Sequence, residues 1–155
     1  MTKRFVVPST ESVSDMLSML YGNDVDATEI PDKTIAGAFA ASFVCDDGDL
    51  VAVCICDPAF VAYSGAALSM MPVGGAEDML ESGDFTKTSV DNFYEVINVC
   101  SRLLMSDSSA HLKLDKVYRP EDASAVIDEF SARATVGFKL KIPRYGVGKM
   151  IFSIV

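Results

Sequence analysis

The chain contains no tryptophan, one histidine, and only 13 lysines and arginines against 22 aspartates and glutamates in 155 residues, leaving a formal charge of −9. A shortage of basic residues works against nonspecific binding to nucleic acid and to anionic membrane, both of which need a Lys/Arg excess. Basic or mixed-charge protein partners suit such a chain better. The single histidine, His111, begins an alternating segment, allows no histidine metal cluster and, with no Ser or Cys nucleophile motif in the chain, reads as structural rather than catalytic. The four cysteines, Cys45, Cys54, Cys56 and Cys100, all stand among apolar neighbours without ligand spacing. Cys54 and Cys56 point to one face of a strand and read as small core residues. No metal site is expected.

Long apolar runs are also missing. The richest segment, Val51 to Met71, is interrupted by Asp57, Pro58, Ser64 and Gly65, so it reads as strand, turn and helix and not as a membrane span. Met1-Thr-Lys-Arg is followed by only Phe5 to Val7 before Pro8, which is no secretory leader. The expectation is a soluble cytoplasmic protein. Half of the residues are hydrophobic and 23% charged, the balance of a globular chain, and the length suits a single domain over 1–155.

Periodicity outlines an α+β protein. Ser9-Thr10-Glu11 ahead of Val13, Met16, Leu17 and Leu20, with Gly22 as the stop, predicts a helix over 10–21. Segments 34–44 and 50–56 around Asp46-Asp47-Gly48-Asp49 predict a hairpin. Asp57-Pro58 opens a second helix, and a short acidic segment between Gly74-Gly75 and Gly83 leads to the longest helical pattern, 86–105. A strand follows at 112–117, a helix begins at Pro120, and 134–142 with 147–155 form a second hairpin. Helix and paired strands thus occur in both the first and last thirds, which allows a pseudo-two-fold antiparallel sheet packed against the long helices.

On the long helix, Asp91, Glu95, Asn98 and Arg102 fall within about 60° of one another at about 100° per residue, opposite Phe93, Val96, Ile97, Cys100, Leu103 and Leu104. Asp91 and Glu95 are like charges four residues apart, an arrangement that costs a few tenths of a kcal/mol. Stability does not account for them. The stripe is either a solvated face or a functional one.

Asp91-x3-Glu95-x2-Asn98, followed after residues 99–119 by Pro120, resembles the signature of the CheC/CheX/FliY phosphatases of bacterial chemotaxis, with one residue fewer before the proline than that family has. The element order from Thr34 to Val155, including Asp57-Pro58-Ala59-Phe60 and Ala67-Leu68-Ser69-Met70-Met71, is similar to CheX. The resemblance implies a CheX-like fold and a hydrolase in two-component signalling, removing the aspartyl phosphate of a CheY-like response regulator. It implies that Glu95 pairs with a lysine of the phosphorylated receiver and that the Asn98 amide holds the attacking water. Asp91 assists docking. Phosphoryl transfer depends on positioning and charge stabilisation, and a neutral amide orients water without repelling the phosphoryl group. Mg²⁺ belongs to the receiver's acidic pocket, so no cofactor of this chain's own is implied. A homodimer with exchanged edge strands is implied as well.

Two departures qualify the resemblance. Arg102 stands where the family has a small residue, and its guanidinium either obstructs a partner, contacts the phosphoryl group or is solvated. The first helix carries Glu11-x-x-Ser14 in place of a second Glu-x-x-Asn, which leaves one site per chain. The alternative function is a non-enzymatic docking module of the same fold that binds a receiver domain through the acidic face.

Overall fold

The computed structural model describes residues 5–155; Met1 to Arg4, on which the expectation about a leader partly rested, lie outside the described residues. The elements are α1 (Thr10–Tyr21), β1 (Asp26–Ile30), β2 (Phe39–Cys45), β3 (Leu50–Cys56), α2 (Pro58–Leu68), α3 (Val73–Ser82), α4 (Lys87–Cys100) with a 3-10 turn (Ser101–Leu104), β4 (Leu112–Tyr118), α5 (Pro120–Glu129), β5 (Ala134–Ile142) and β6 (Gly146–Ile154). The strands form one antiparallel sheet in the order β1-β5-β6-β3-β2-β4.

That order carries the pseudo-two-fold arrangement expected from the sequence. β3 and β6 pair at the centre, each joined to its own hairpin partner, β2 or β5. The strand after α1 then edges the second hairpin, as β1 on β5, and the strand after α4 edges the first, as β4 on β2. Helix, edge strand and hairpin therefore occur twice, with the edge strands exchanged between the halves.

Alternation along the strands decides what each face buries. Phe39, Ala41, Phe43, Cys54, Cys56, Phe138, Leu140, Met150 and Phe152 face α1, α2 and α4 in the main core. Ala40, Val53, Ile55 and Ile151 face α5 in a smaller one. The hydrophobic helix α2 is buried almost all round, between the sheet, α3 and α4, as its composition demands. Asp57 caps it, accepting from the amide of Phe60 at 2.8 Å, with Pro58 at the first helical position. The same oxygen accepts from the amide of Lys149 at 3.0 Å, so one carboxylate ties the start of α2 to β6.

Four details differ from expectation. β1 is a polar edge strand, Asp-Ala-Thr-Glu-Ile, with mostly exposed positions and no alternation to betray it; pairing with β5 makes it a strand. The segment with the two glycines is a helix, α3, because Ala76 and Met79 bury against Ala62 and Ala66. That burial offsets the roughly 1 kcal/mol that each helical glycine costs. β2 begins at Phe39, five residues later than expected from 34–44, with 31–38 running irregularly. The long helix stops being α-helical at Cys100 and tightens into the 3-10 turn that carries Arg102.

Candidate functional site on helix α4

α4 is fixed on three sides before its outer face is considered. Thr86 caps it, accepting from the amide of Ser89 at 3.1 Å. Phe93 meets Phe39 and Phe60 edge-to-face at centroid distances of 6.2 and 6.4 Å, while Val96, Ile97 and Cys100 continue the buried stripe. Gly65 lets α2 approach closely: a Cβ there would lie 3.1 Å from the carbonyl oxygen of Ser89 and 3.3 Å from Cβ of Asn92. Asn92 donates from its amide to the Gly65 carbonyl and to the Ser69 hydroxyl. These contacts set the rotation of α4 about its own axis.

With that rotation, Asp91, Glu95, Asn98 and Arg102 are all exposed, and Tyr94 shares their side of the helix. Sequence reasoning passed over Tyr94, which the helical period sets at the border of the polar stripe and which is 37% exposed. It also passed over Lys87, whose Nζ lies 2.8 Å from the Asp91 carboxylate one turn earlier. The pair is highly exposed and offsets the Asp91/Glu95 repulsion by a similarly small amount, about 0.3–0.5 kcal/mol. Asp91 is thus engaged within its own helix. Among the described residues, the side chains of Glu95 and Asn98 make no hydrogen bond or ion pair; the Asn98 carbonyl accepts from the Ser101 hydroxyl at 2.7 Å. Among the described residues, one turn of helix thus presents an unpaired carboxylate and an unpaired carboxamide to solvent.

Arg102 is on the 3-10 turn, where residues advance by about 120° instead of 100°. It departs from the strict spacing of the stripe and borders three clefts. Two lie toward α1, one with Met16, Met19, Leu20 and Val99 and one with Ser12, Asp15 and Met16 among others. The third, of about 260 Å³, is lined by Asn98, Arg102, Met105, His111, Leu112 and Lys113 among others.

Pro120, the far end of the motif, is not on this face. It opens α5, which packs against the opposite side of the sheet. The link runs through its neighbour: Arg119 Nη1 donates to the Phe85 carbonyl at 3.1 Å, immediately before the cap of α4. In α1, the helix equivalent to α4, the Ser14 hydroxyl donates to the Val25 carbonyl at 2.6 Å and so is committed to holding β1's approach.

All four cysteines are buried. Burial pushes the thiols of Cys56 and Cys100 well up, with neighbouring thiols adding to the effect, and burial likewise raises the Tyr21 hydroxyl, which donates to the Ser64 carbonyl at 3.2 Å. In the β2–β3 turn, ligating atoms of Cys45, Asp47 and Asp49 lie within 4.8 Å of one another, a grouping the sequence spacing did not bring out. The Cys45 thiol and the Asp49 amide both donate to Asp47 Oδ1, which closes the turn. His111 is exposed, with Nδ1 3.6 Å from Asp46.

No helix among the described residues is long and apolar enough to cross a membrane. No family model matches the sequence, and no curated protein does. Solved structures do match in shape. FliY of Thermotoga maritima superposes with a TM-score of 0.64 at 16% identity, over 95% of this chain and 84% of that one. FliM of H. pylori, from its complex with SpeE, gives 0.63 at 10% identity, over 94% and 80%. The chain has the CheC/CheX/FliY fold. CheX of Borrelia burgdorferi, from a complex with CheY, also aligns, with a TM-score of 0.46 at 10% identity over 91% of each chain. The particular nearness to CheX expected from the element order is therefore the weaker part of the resemblance. At these identities the likeness is one of fold, and the site stands on its own residues.

Proposed function

We propose that this protein hydrolyses the aspartyl phosphate of a CheY-like response regulator, with Glu95 docking the receiver and Asn98 placing the water. The observation that carries the proposal is the Glu95 carboxylate and Asn98 amide, one helical turn apart on the exposed face of α4 and without side-chain partners among the described residues. Glu95 pairs with a lysine ammonium of the receiver. The Asn98 carboxamide enters the receiver's site, accepts a hydrogen bond from water and directs its oxygen at phosphorus, in line with the aspartyl oxygen that leaves. The P–O bond to aspartate breaks, one to water forms, and the products are inorganic phosphate and the free carboxylate. The acidic pocket and its divalent cation are the receiver's. This chain contributes position, the main requirement of phosphoryl transfer.

Decay of a phosphorylated receiver, followed with and without the protein, tests the proposal. Faster decay with wild type and loss of that acceleration in Asn98→Ala are expected. No acceleration by wild type, or equal acceleration by Asn98→Ala, would sink it. The homodimer implied by the family resemblance belongs to the same proposal, and sedimentation equilibrium should return twice the chain mass of 16.6 kDa.

A docking module without catalysis is the second reading. It is favoured by Arg102 beside Asn98, and by FliM of H. pylori, which has this fold and is described in complexes with SpeE and with FliG. It predicts saturable receiver binding, weakened by Glu95→Lys, with no change in phosphate lifetime.

A further inference from the structure

Glycine is missing from two turns that call for it. α2 ends in a Schellman arrangement, with the Met71 amide donating to the Ala66 carbonyl at 2.9 Å and the Met70 amide to that of Ala67 at 3.3 Å, and the residue that turns left-handed is Met70, at φ 56°. The β5–β6 turn closes from the Tyr145 amide to the Ile142 carbonyl at 3.1 Å. Pro143 holds its second position and Arg144, at φ 73°, the third, which type II turns reserve for glycine or asparagine. Among the described residues these two are the only non-glycine residues with positive φ. Both line one cavity of about 260 Å³, where the ends of α1 and α2 meet the β5–β6 turn. A side chain held in this conformation costs free energy that glycine would not, and such positions cluster at ligand sites.

The remaining walls are rigid. Tyr21 and Tyr145 line the cavity while their hydroxyls are tied to α2 and the residues after it, Tyr21 donating to the Ser64 carbonyl at 3.2 Å and Tyr145 to the Met71 carbonyl at 2.6 Å. The carbonyls of Ala66, Ala67 and Met71 all accept hydrogen bonds, so the partial negative charge at this helix end is engaged. Arg144 is the one charged residue that lines the cavity, and it makes no hydrogen bond or ion pair among the described residues. We infer that this cavity binds a small organic carboxylate with a flat apolar body. The Arg144 guanidinium takes the two carboxylate oxygens, and the Tyr21 and Tyr145 rings with the Met70 thioether take the body. One cation balances one carboxylate, whereas a phosphate monoester brings nearly twice the charge. The volume equals that of about nine waters in the liquid, enough for a single ring and little more.

Titration of benzoate into the isotopically labelled full chain, followed by amide NMR shifts, tests the site, with benzamide as the uncharged probe of the same shape. Saturable millimolar binding of benzoate is expected, with shifts centred on Tyr21, Met70 and Arg144. Benzamide should bind about tenfold more weakly, the loss of one charge-assisted contact. Arg144→Gly should bring benzoate down to the benzamide level, and Met70→Gly should weaken both probes severalfold. Both glycine variants should nevertheless raise the urea midpoint, since glycine takes the left-handed conformation freely. Better folding with poorer binding is an opposition that two merely structural turns would not give. Benzoate shifts that do not saturate, that fall equally on Lys116 of the far edge strand β4, or that survive Arg144→Gly overturn the site. Urea midpoints that fall in both glycine variants overturn it as well.

Discussion

The side-chain amide of Asn92 donates to the backbone carbonyl of Gly65 across the α2–α4 contact at 3.2 Å. Asn92 is on α4 between Asp91 and Phe93, so the bond locks the helix with its hydrophobic stripe inward and Glu95 and Asn98 outward. Two substitutions probe the lock. Gly65→Ala places a methyl 3.1 Å from a backbone oxygen and should cost about 1–3 kcal/mol, because two helices must separate to admit it. Asn92→Ala removes the bonds to Gly65 and Ser69 and should cost about 1–2 kcal/mol. Urea denaturation reads both, and on the proposed function both variants should also weaken the acceleration of receiver decay while Glu95 and Asn98 are intact.

The stripe was legible because it depends on the helical period alone, and Phe93, Val96, Ile97 and Cys100 mark the buried side unmistakably. The second hairpin was legible for a similar reason, from its alternation about Pro143-Arg144-Tyr145-Gly146. β1 was not, since an edge strand with mostly exposed positions has no hydrophobic pattern and exists through its partner β5. α3 was hidden by Gly74 and Gly75, whose low helix propensity is overridden by contacts from α2. In the site, Glu95 and Asn98 were found by spacing within one helix. The cleft that Asn98 and Arg102 line with His111 and Leu112 forms where the end of α4 packs on β4, and helical spacing says nothing of it.

Glycine substitutions separate packing from propensity. A Cβ on Gly148 would sit 2.5 Å from Cα of Phe60, where α2 crosses β6, so Gly148→Ala should cost about 3 kcal/mol or more. Gly74 in the first turn of α3 meets nothing within 4 Å, and Gly74→Ala should stabilise by about 0.5–1 kcal/mol. Opposite shifts in the urea midpoint are expected, and a shift of the same sign in both would contradict the packing described.

Burial raises the carboxyl of Asp57 above the usual carboxylate range, with the Lys149 and Phe60 amides opposing that rise. As pH increases, the unfolded chain releases this proton first and the folded chain later. The native state therefore binds more protons between the two values, and stability falls as pH rises through that window. Asp57→Asn keeps an acceptor for both amides and removes the charge. It should be at least as stable as wild type at neutral pH, with a flatter stability profile on the acidic side. Asp57→Ala should lose about 1–2 kcal/mol with the cap. Denaturation series across pH distinguish the two.

Thiol reactivity tests the core directly. Cys54, Cys56 and Cys100 are fully buried, and Cys56 and Cys100 are held as thiols by that burial. Alkylation of the native protein at neutral pH should spare all three and proceed only at the rate of unfolding. Fast modification of any of them in the absence of denaturant would show that α4 or α2 does not cover the sheet as described.

Replacements at Asn98 distinguish positioning from docking. Asn98→Ala removes the amide and leaves the Glu95 carboxylate untouched, so receiver binding should stay within about twofold while acceleration of phosphate loss disappears. Asn98→Asp keeps the shape but brings a negative charge against the phosphoryl oxygens, and also beside Arg102, which it would pair with. Acceleration should then be lost and binding of the phosphorylated receiver weakened more than binding of the unphosphorylated one. A docking surface with no role in the chemistry predicts a different order, with Glu95→Lys the most damaging change and both Asn98 variants indifferent to the phosphorylation state. Fluorescence anisotropy with a phosphorylated and an unphosphorylated receiver, beside the decay assay, separates these orders.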